Sequence, residues 1–158
     1  MKSFFAFACA AVVAAGAIGC DGGDEGSDYE IAEGTLSGKI GGQDWKFVSG
    51  GTDSFLSDSE GFFTVLYDAE GDVCGFGGPD TERTVLMNVP PKEGDYELGF
   101  KHNITMAVGS DNKVATTGIM TVEKITDTEL TVGFYAIHEA DPDFELSGHF
   151  TATICPPE

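Results

Sequence analysis

Apolar and polar positions alternate with a period of two along most of the chain beyond residue 33, the pattern of half-buried β-strands. Leu36, Gly38 and Ile40 alternate with polar residues, and the run GGQD at 41–44 predicts a turn before Trp45 and Phe47. Residues 62–67 and 84–89 are rich in β-formers, and Pro90-Pro91 ends the second run because proline cannot sit in a central strand. Glu93-Gly94-Asp95 predicts a turn into a strand carrying Tyr96, Leu98 and Phe100. Ile104, Met106 and Val108 alternate strictly, and residues 110–113 (SDNK) have turn chemistry. Residues 118–125 and 130–137 flank Thr126-Asp127-Thr128-Glu129, which predicts a hairpin. Leu146, Gly148, Phe150, Ala152 and Ile154 form the longest alternation.

No window beyond the first twenty residues carries a helical period. Short strands separated by turn signals predict an all-β domain, a single antiparallel β-sandwich or β-barrel, with the choice between them open. The repeated triplet Leu-Ser-Gly at 36–38 and 146–148 suggests two strands that are neighbours in the sheet. Phe4, Phe5 and Phe7 belong to the N-terminal apolar run, which leaves nine of the twelve phenylalanines, with Trp45, as expected core bulk.

That apolar run changes the picture of where the chain resides. Lys2 supplies a positive start, and residues 4–16 carry no charge before Ala17-Ile18-Gly19-Cys20. The run is short for a membrane span and is followed by small residues, as in a cleaved signal peptide. The last four residues resemble the lipobox of bacterial lipoproteins, with Ala17 in the place the family usually gives to leucine. This resemblance implies that the cysteine is lipidated and becomes the new N-terminus. A rival cleavage at Ala15-Gly16-Ala17 would release a soluble chain beginning at Ile18. Cysteine arithmetic favours the lipid. Cys9 leaves with the signal and Cys20 takes the acyl groups, so Cys74 and Cys155 remain as an even pair, expected to form a disulfide in an oxidising compartment.

The expected organisation is therefore a signal peptide at 1–19, a lipidated acidic glycine-rich tether at 20–33, and an all-β domain at 34–158. The tether has almost nothing to bury and repels itself, so it would let the domain roam some tens of ångströms from the lipid surface. Asp21 resembles an inner-membrane retention signal, whereas Asp24-Glu25 resembles signals for display on the cell surface. These hints conflict and leave the choice of membrane open. The formal charge of −19 disfavours nucleic acid and any polybasic membrane contact, and it keeps an exposed envelope protein unaggregated.

Four stretches carry a further resemblance: GKIGGQDW at 38–45, PPKEGDYEL at 90–98, GIMTVEKITDTEL at 118–130 and SGHFTAT at 147–153. Together they resemble uncharacterised β-rich bacterial envelope lipoproteins. The resemblance implies an all-β fold and transfers no catalytic residue.

Candidate chemistry is sparse. Two acidic loops have the hard oxygen ligands that calcium takes, one with Asp68, Glu70 and Asp72 and the other with Asp141 and Asp143. Neither has the EF-hand spacing, and carboxylate clusters arise readily in so acidic a chain, so no cofactor is required. His102, His138 and His149 lack ligand spacing; His149 falls on the polar register of its strand beside Thr151 and Thr153. No G-x-S-x-G occurs, and the glycine-rich run at 75–79 lacks the lysine and following helix of a phosphate loop.

The expectation is a lipid-anchored cell-envelope protein with a binding or structural role rather than a catalytic one. Its partners would be the membrane, through the lipid, and a protein or small-molecule ligand. Two alternatives stay open. A lipocalin-like carrier would leave the interior hollow. A small hydrolase would bring a histidine or paired carboxylates together in a concave pocket.

Overall fold

Eleven strands follow one another in the order the alternation predicts, with two additions. They are β1 (Ser37–Ile40), β2 (Gln43–Lys46), β3 (Ser49–Thr52), β4 (Phe62–Tyr67), β5 (Arg83–Val89), β6 (Gly94–Glu97), β7 (Ile104–Val108), β8 (Asp111–Ala115), β9 (Thr117–Ile125), β10 (Glu129–Ile137) and β11 (Glu145–Thr153). The computed structural model describes residues 29–75 and 77–157. The expected signal peptide, Cys9 and the expected lipidation site Cys20 lie outside the described residues, within which no helix occurs. The fold is all-β, one mixed sheet curled into a half-barrel, in the order β6-β9-β10-β11-β3-β4-β5-β7-β8, with the β1–β2 hairpin attached to β11.

The two additions have local causes. β3 is Ser-Gly-Gly-Thr, which offers no apolar alternation to read, yet it pairs with β4 because Gly50 and Gly51 let neighbouring atoms close in. β8 begins at Asp111, inside the run expected to be a turn. The actual reversal is at Gly109-Ser110, where Gly109 takes φ +57°, and it leaves Asp111 and Asn112 paired with Val108 and Ala107. At the first hairpin Gly41 and Gly42 both have positive φ, +65° and +73°, the conformation a two-residue turn needs to match strand twist.

β1 and β11 are antiparallel neighbours, with Ser37 opposite Ser147 and Gly38 opposite Leu146, so the repeated triplet marks adjacent strands. A different join holds the two halves of the sheet together. β11 meets β3 through the single parallel pair Thr153 and Gly51. The disulfide between Cys74, in the β4–β5 loop, and Cys155, just past β11, spans the same seam. Buried Thr52 adds a hydroxyl acceptor for the Cys155 N–H at 3.0 Å.

The concave face encloses a filled core. Trp45, Phe134, Leu36, Ile40, Leu66, Ile104, Met106 and Met120 are each at most 2% exposed. Trp45 donates to the Arg83 carbonyl at 3.4 Å, and Arg83 donates back to the Asp44 carbonyl at 2.8 Å, which ties β2 to β5 across the curl. The phenylalanines divide, contrary to the expectation that all serve the core. Phe134, Phe144 and Phe150 are buried and Phe47 and Phe62 pack against them, but Phe55 is 93% exposed and Phe100 fully exposed. β6 ends at Glu97, so Phe100 belongs to a tight turn closed by the Gly99 N–H and the His102 carbonyl, not to a strand.

Residues 29–33, expected within the tether, lie against the domain. Tyr29 stacks on Tyr135 of β10 with ring centroids 5.5 Å apart, and the Ala32 N–H donates to the Ser147 hydroxyl at 2.8 Å.

Candidate functional site: a cleft with a His149–Glu123 pair

A glycine in the middle of β10 creates the site. Gly133 lies between Thr121 of β9 and His149 of β11, and it has no side chain to separate the strands on either side. A Cβ at this position would come within 2.7 Å of His149 Nδ1 and 2.9 Å of Glu123 Oε1. The two side chains use that space and meet across β10, Nδ1 to Oε1, at 2.5 Å.

Glu123 reaches the pair because β9 is irregular there. Thr131 pairs with Lys124 and Val132 with Val122, so Glu123 is the extra residue of a bulge. A bulge redirects a side chain that regular alternation would aim elsewhere. Val122 is buried, while Glu123 and Lys124 both face solvent. The pair is about one-third exposed, 34% for the His149 side chain and 33% for that of Glu123.

A cleft of about 560 Å³ opens beside the pair. It exists because β11 changes partner along one edge. Ser147 pairs with β1, and the His149 backbone exchanges hydrogen bonds with Gly34 and Leu36 at 2.9 and 2.8 Å. Four residues later Thr153 pairs with β3. Thr151 lies in the gap between these partners. Phe47 and Phe150, with rings 5.6 Å apart, reach the cleft from the core side, and Glu33 lines it from the N-terminal segment. Thr131 and Thr151 complete the lining, their hydroxyls 3.3 Å apart. A smaller cleft of about 390 Å³ lies by the β1–β2 hairpin, lined by Asp44, Trp45 and Lys46 among others.

The other residues singled out in the sequence sit elsewhere. Asp68 is held by Arg83 Nη2 at 2.9 Å and by the Thr81 hydroxyl at 2.5 Å, a network that fixes both ends of the β4–β5 loop. Asp72 accepts the N–H of Cys74 at 3.0 Å, closing the turn that carries the disulfide, and Glu70 points to solvent. Asp141 accepts the N–H of Asp143 at 3.3 Å, and the Asp143 carbonyl accepts the Gly42 N–H at 3.0 Å. Among the described residues no three His, Cys, Asp or Glu side chains converge in a way that could hold a metal ion.

The histidines are on three separate elements. His102 packs edge-on against the Tyr96 ring at 5.2 Å; burial, and then the Lys101 charge, lower its pKa. His138 opens the β10–β11 loop, and its buried Nδ1 has no hydrogen-bond partner among the described residues. Only His149 meets a carboxylate inside a cleft. Near the N-terminal segment, burial and then the Glu145 charge raise the pKa of Tyr135.

Chemically, the cleft offers acceptors. A neutral imidazole that donates from Nδ1 to Glu123 keeps Nε2 as an acceptor. Glu33, the second Glu123 oxygen and the threonine hydroxyls add more, and among the described residues no lysine or arginine lines the walls. Among the described residues the hydrogen-bond partner of the His149 ring is Glu123, and no serine or cysteine side chain bonds to it. The sequence placed His149 on the polar face of its strand but gave no hint of Glu123; the available signal was Gly133 in the centre of a β-rich run. The chain matches no protein-family model, no curated protein and no solved structure.

Proposed function

We propose that the protein is a lipid-anchored binding module of the bacterial cell envelope, held at the membrane by acyl groups on Cys20 and presenting the β9–β10–β11 cleft to a partner. The observation that carries the binding role is the contrast between interior and edge. The concave side of the sheet is packed with Trp45, Phe134, Phe150 and the aliphatic strand residues, while the open cleft at the β1-to-β3 gap holds an exposed His149–Glu123 pair. A carrier that swallows a ligand needs room inside. A surface reader needs a concavity with a few placed polar groups.

The anchor rests on the N-terminal sequence together with the cysteine pairing. The disulfide uses Cys74 and Cys155, so Cys20 is the one cysteine beyond the apolar run that is left for a lipid. The absence of basic excess argues that the lipid, not charge, would hold the domain at the surface.

A native mass spectrum of the protein gently extracted from membranes tests this reading. The expected species begins at Cys20, carries a diacylglyceryl group and is two protons lighter than the reduced chain; additional retained mass would be a bound ligand. A chain starting at Ile18 without lipid would sink the anchor. Cys20→Ser should move the protein out of the membrane fraction.

A further inference from the structure

We infer that the β9–β10–β11 cleft receives the guanidinium group of an arginine side chain presented by a partner chain. This deepens the binding reading above and rests on it. Three independent observations converge on that chemistry. Among the described residues the cleft is lined by the carboxylates of Glu33 and Glu123, by threonine hydroxyls and by His149, whose Nε2 accepts when the ring is neutral, and by no lysine or arginine. Such a site is left unsatisfied by an anionic or acceptor-rich ligand and is satisfied by a group that only donates. Arginine offers five N–H donors in a planar fork that matches a carboxylate, and no acceptor.

The cleft also has an apolar side. Half-buried Phe47 lines it where β11 passes from β1 to β3, with the buried Phe150 ring behind it. A weakly hydrated guanidinium lies favourably against an aromatic ring, and its three-carbon stem covers apolar surface. A strongly hydrated metal ion would find no use for that side of the site.

The third observation concerns the whole molecule. With 27 acidic residues against 8 lysines and arginines, the surface field draws in a basic partner and orients its approach. Gly133 keeps the central strand bare, so Glu123 and His149 stand together and not on opposite sides of an intervening side chain. The Glu123 oxygen not engaged by His149 is then free to take one arm of the fork.

The test uses the full-length protein in detergent micelles and follows the ring signals of His149 by NMR. The probes are Nα-acetyl-arginine N-methylamide and its citrulline and lysine counterparts, citrulline matching arginine in shape without the charge. Arginine should shift the His149 signals in a saturable way at millimolar concentration, whereas citrulline should not. Glu123→Gln should weaken binding roughly tenfold, the size expected for loss of one charge-assisted contact. Glu33→Gln should weaken it less, and reads the same wall should the first variant misfold. Unmoved His149 signals, equal shifts with citrulline, or wild-type affinity in both variants would overturn the inference. Lysine binding as tightly as arginine would overturn the guanidinium assignment. A failed anchor would show in the mass spectrum and leave this titration unchanged, so the two readings fail separately.

Discussion

The imidazole of His149 occupies the space that a side chain on Gly133 would fill, with a Cβ there coming within 2.7 Å of Nδ1. The atoms in the way are the ends of two flexible side chains, His149 and Glu123, and not backbone. Gly133→Ala should therefore leave the sheet intact, because the side chains can swing aside and alanine lowers the entropy lost on folding. The urea midpoint should shift by less than about 1 kcal/mol equivalent. The His149 ring signals should move nonetheless, since the pair is driven apart. Global unfolding of this variant would show that Gly133 serves the strand and not the pair.

Gly38 presents the opposite case. A Cβ there would overlap the Glu145 carbonyl oxygen, a backbone atom of the paired strand, and φ is +154°. Neither obstacle can rotate away, so Gly38→Ala should detach β1 from β11 or shift the strand, at a cost of about 2–4 kcal/mol in denaturant unfolding. Ser37→Ala, one residue earlier on an exposed position, should cost under about 0.5 kcal/mol. Equal effects from the two changes would mean the close approach is not what limits position 38.

These glycines show what the alternation pattern conveys and what it omits. Leu146, Gly148, Phe150 and Ala152 point inward at every second position, as do Leu130, Val132, Phe134 and Ala136, so most strands and their core faces were legible. β3 was not, because Ser-Gly-Gly-Thr has no hydrophobic rhythm and is recruited by close packing against β4. Phe100 misled for a related reason. A large apolar residue signals burial only on average, and this one sits in the turn between β6, which pairs with β9, and β7, which pairs with β5 and β8, and is left in solvent. The Cys74–Cys155 pairing followed from counting and from the expected compartment. The His149–Glu123 pair could not follow, since Glu123 arrives through a bulge, and a bulge depends on register between two strands.

His102 supplies a pH dependence. Its pKa is lowered from the ordinary 6.5, first by burial against the Tyr96 ring and second by the Lys101 charge. The unfolded chain then binds the proton more readily than the folded one. The contribution is fully present above 6.5 and is lost as pH falls through the lower folded value. His102→Gln should flatten the acid side of a stability-versus-pH curve just below 6.5 and leave the neutral plateau unchanged. The effect is small because the ring is largely solvated. A variant curve that parallels the parent through this window would remove His102 from the account.

The seam between the two halves of the sheet sets the last expectation. One parallel pair, Thr153 with Gly51, joins β11 to β3, where the other adjoining strands share three or more. So thin a hydrogen-bonded join needs a second fastening, and the Cys74–Cys155 bond lies two residues beyond it, closing a separation of 81 residues. By the chain-entropy relation a loop of that length contributes about 4–4.5 kcal/mol, acting on the unfolded chain. A Cys74→Ala and Cys155→Ala double variant should lose stability of that order. It should also show its largest rise in amide exchange around Gly51 and Thr153, where one pair alone joins β11 to β3, although β4 and β10 still pair these strands on their other sides. The β9–β10–β11 ladders, paired along nearly their full length, should stay protected. If exchange rose uniformly, the bond would be acting on the unfolded chain alone; a rise confined to the seam would mean that it also clamps the folded sheet where the strands barely meet.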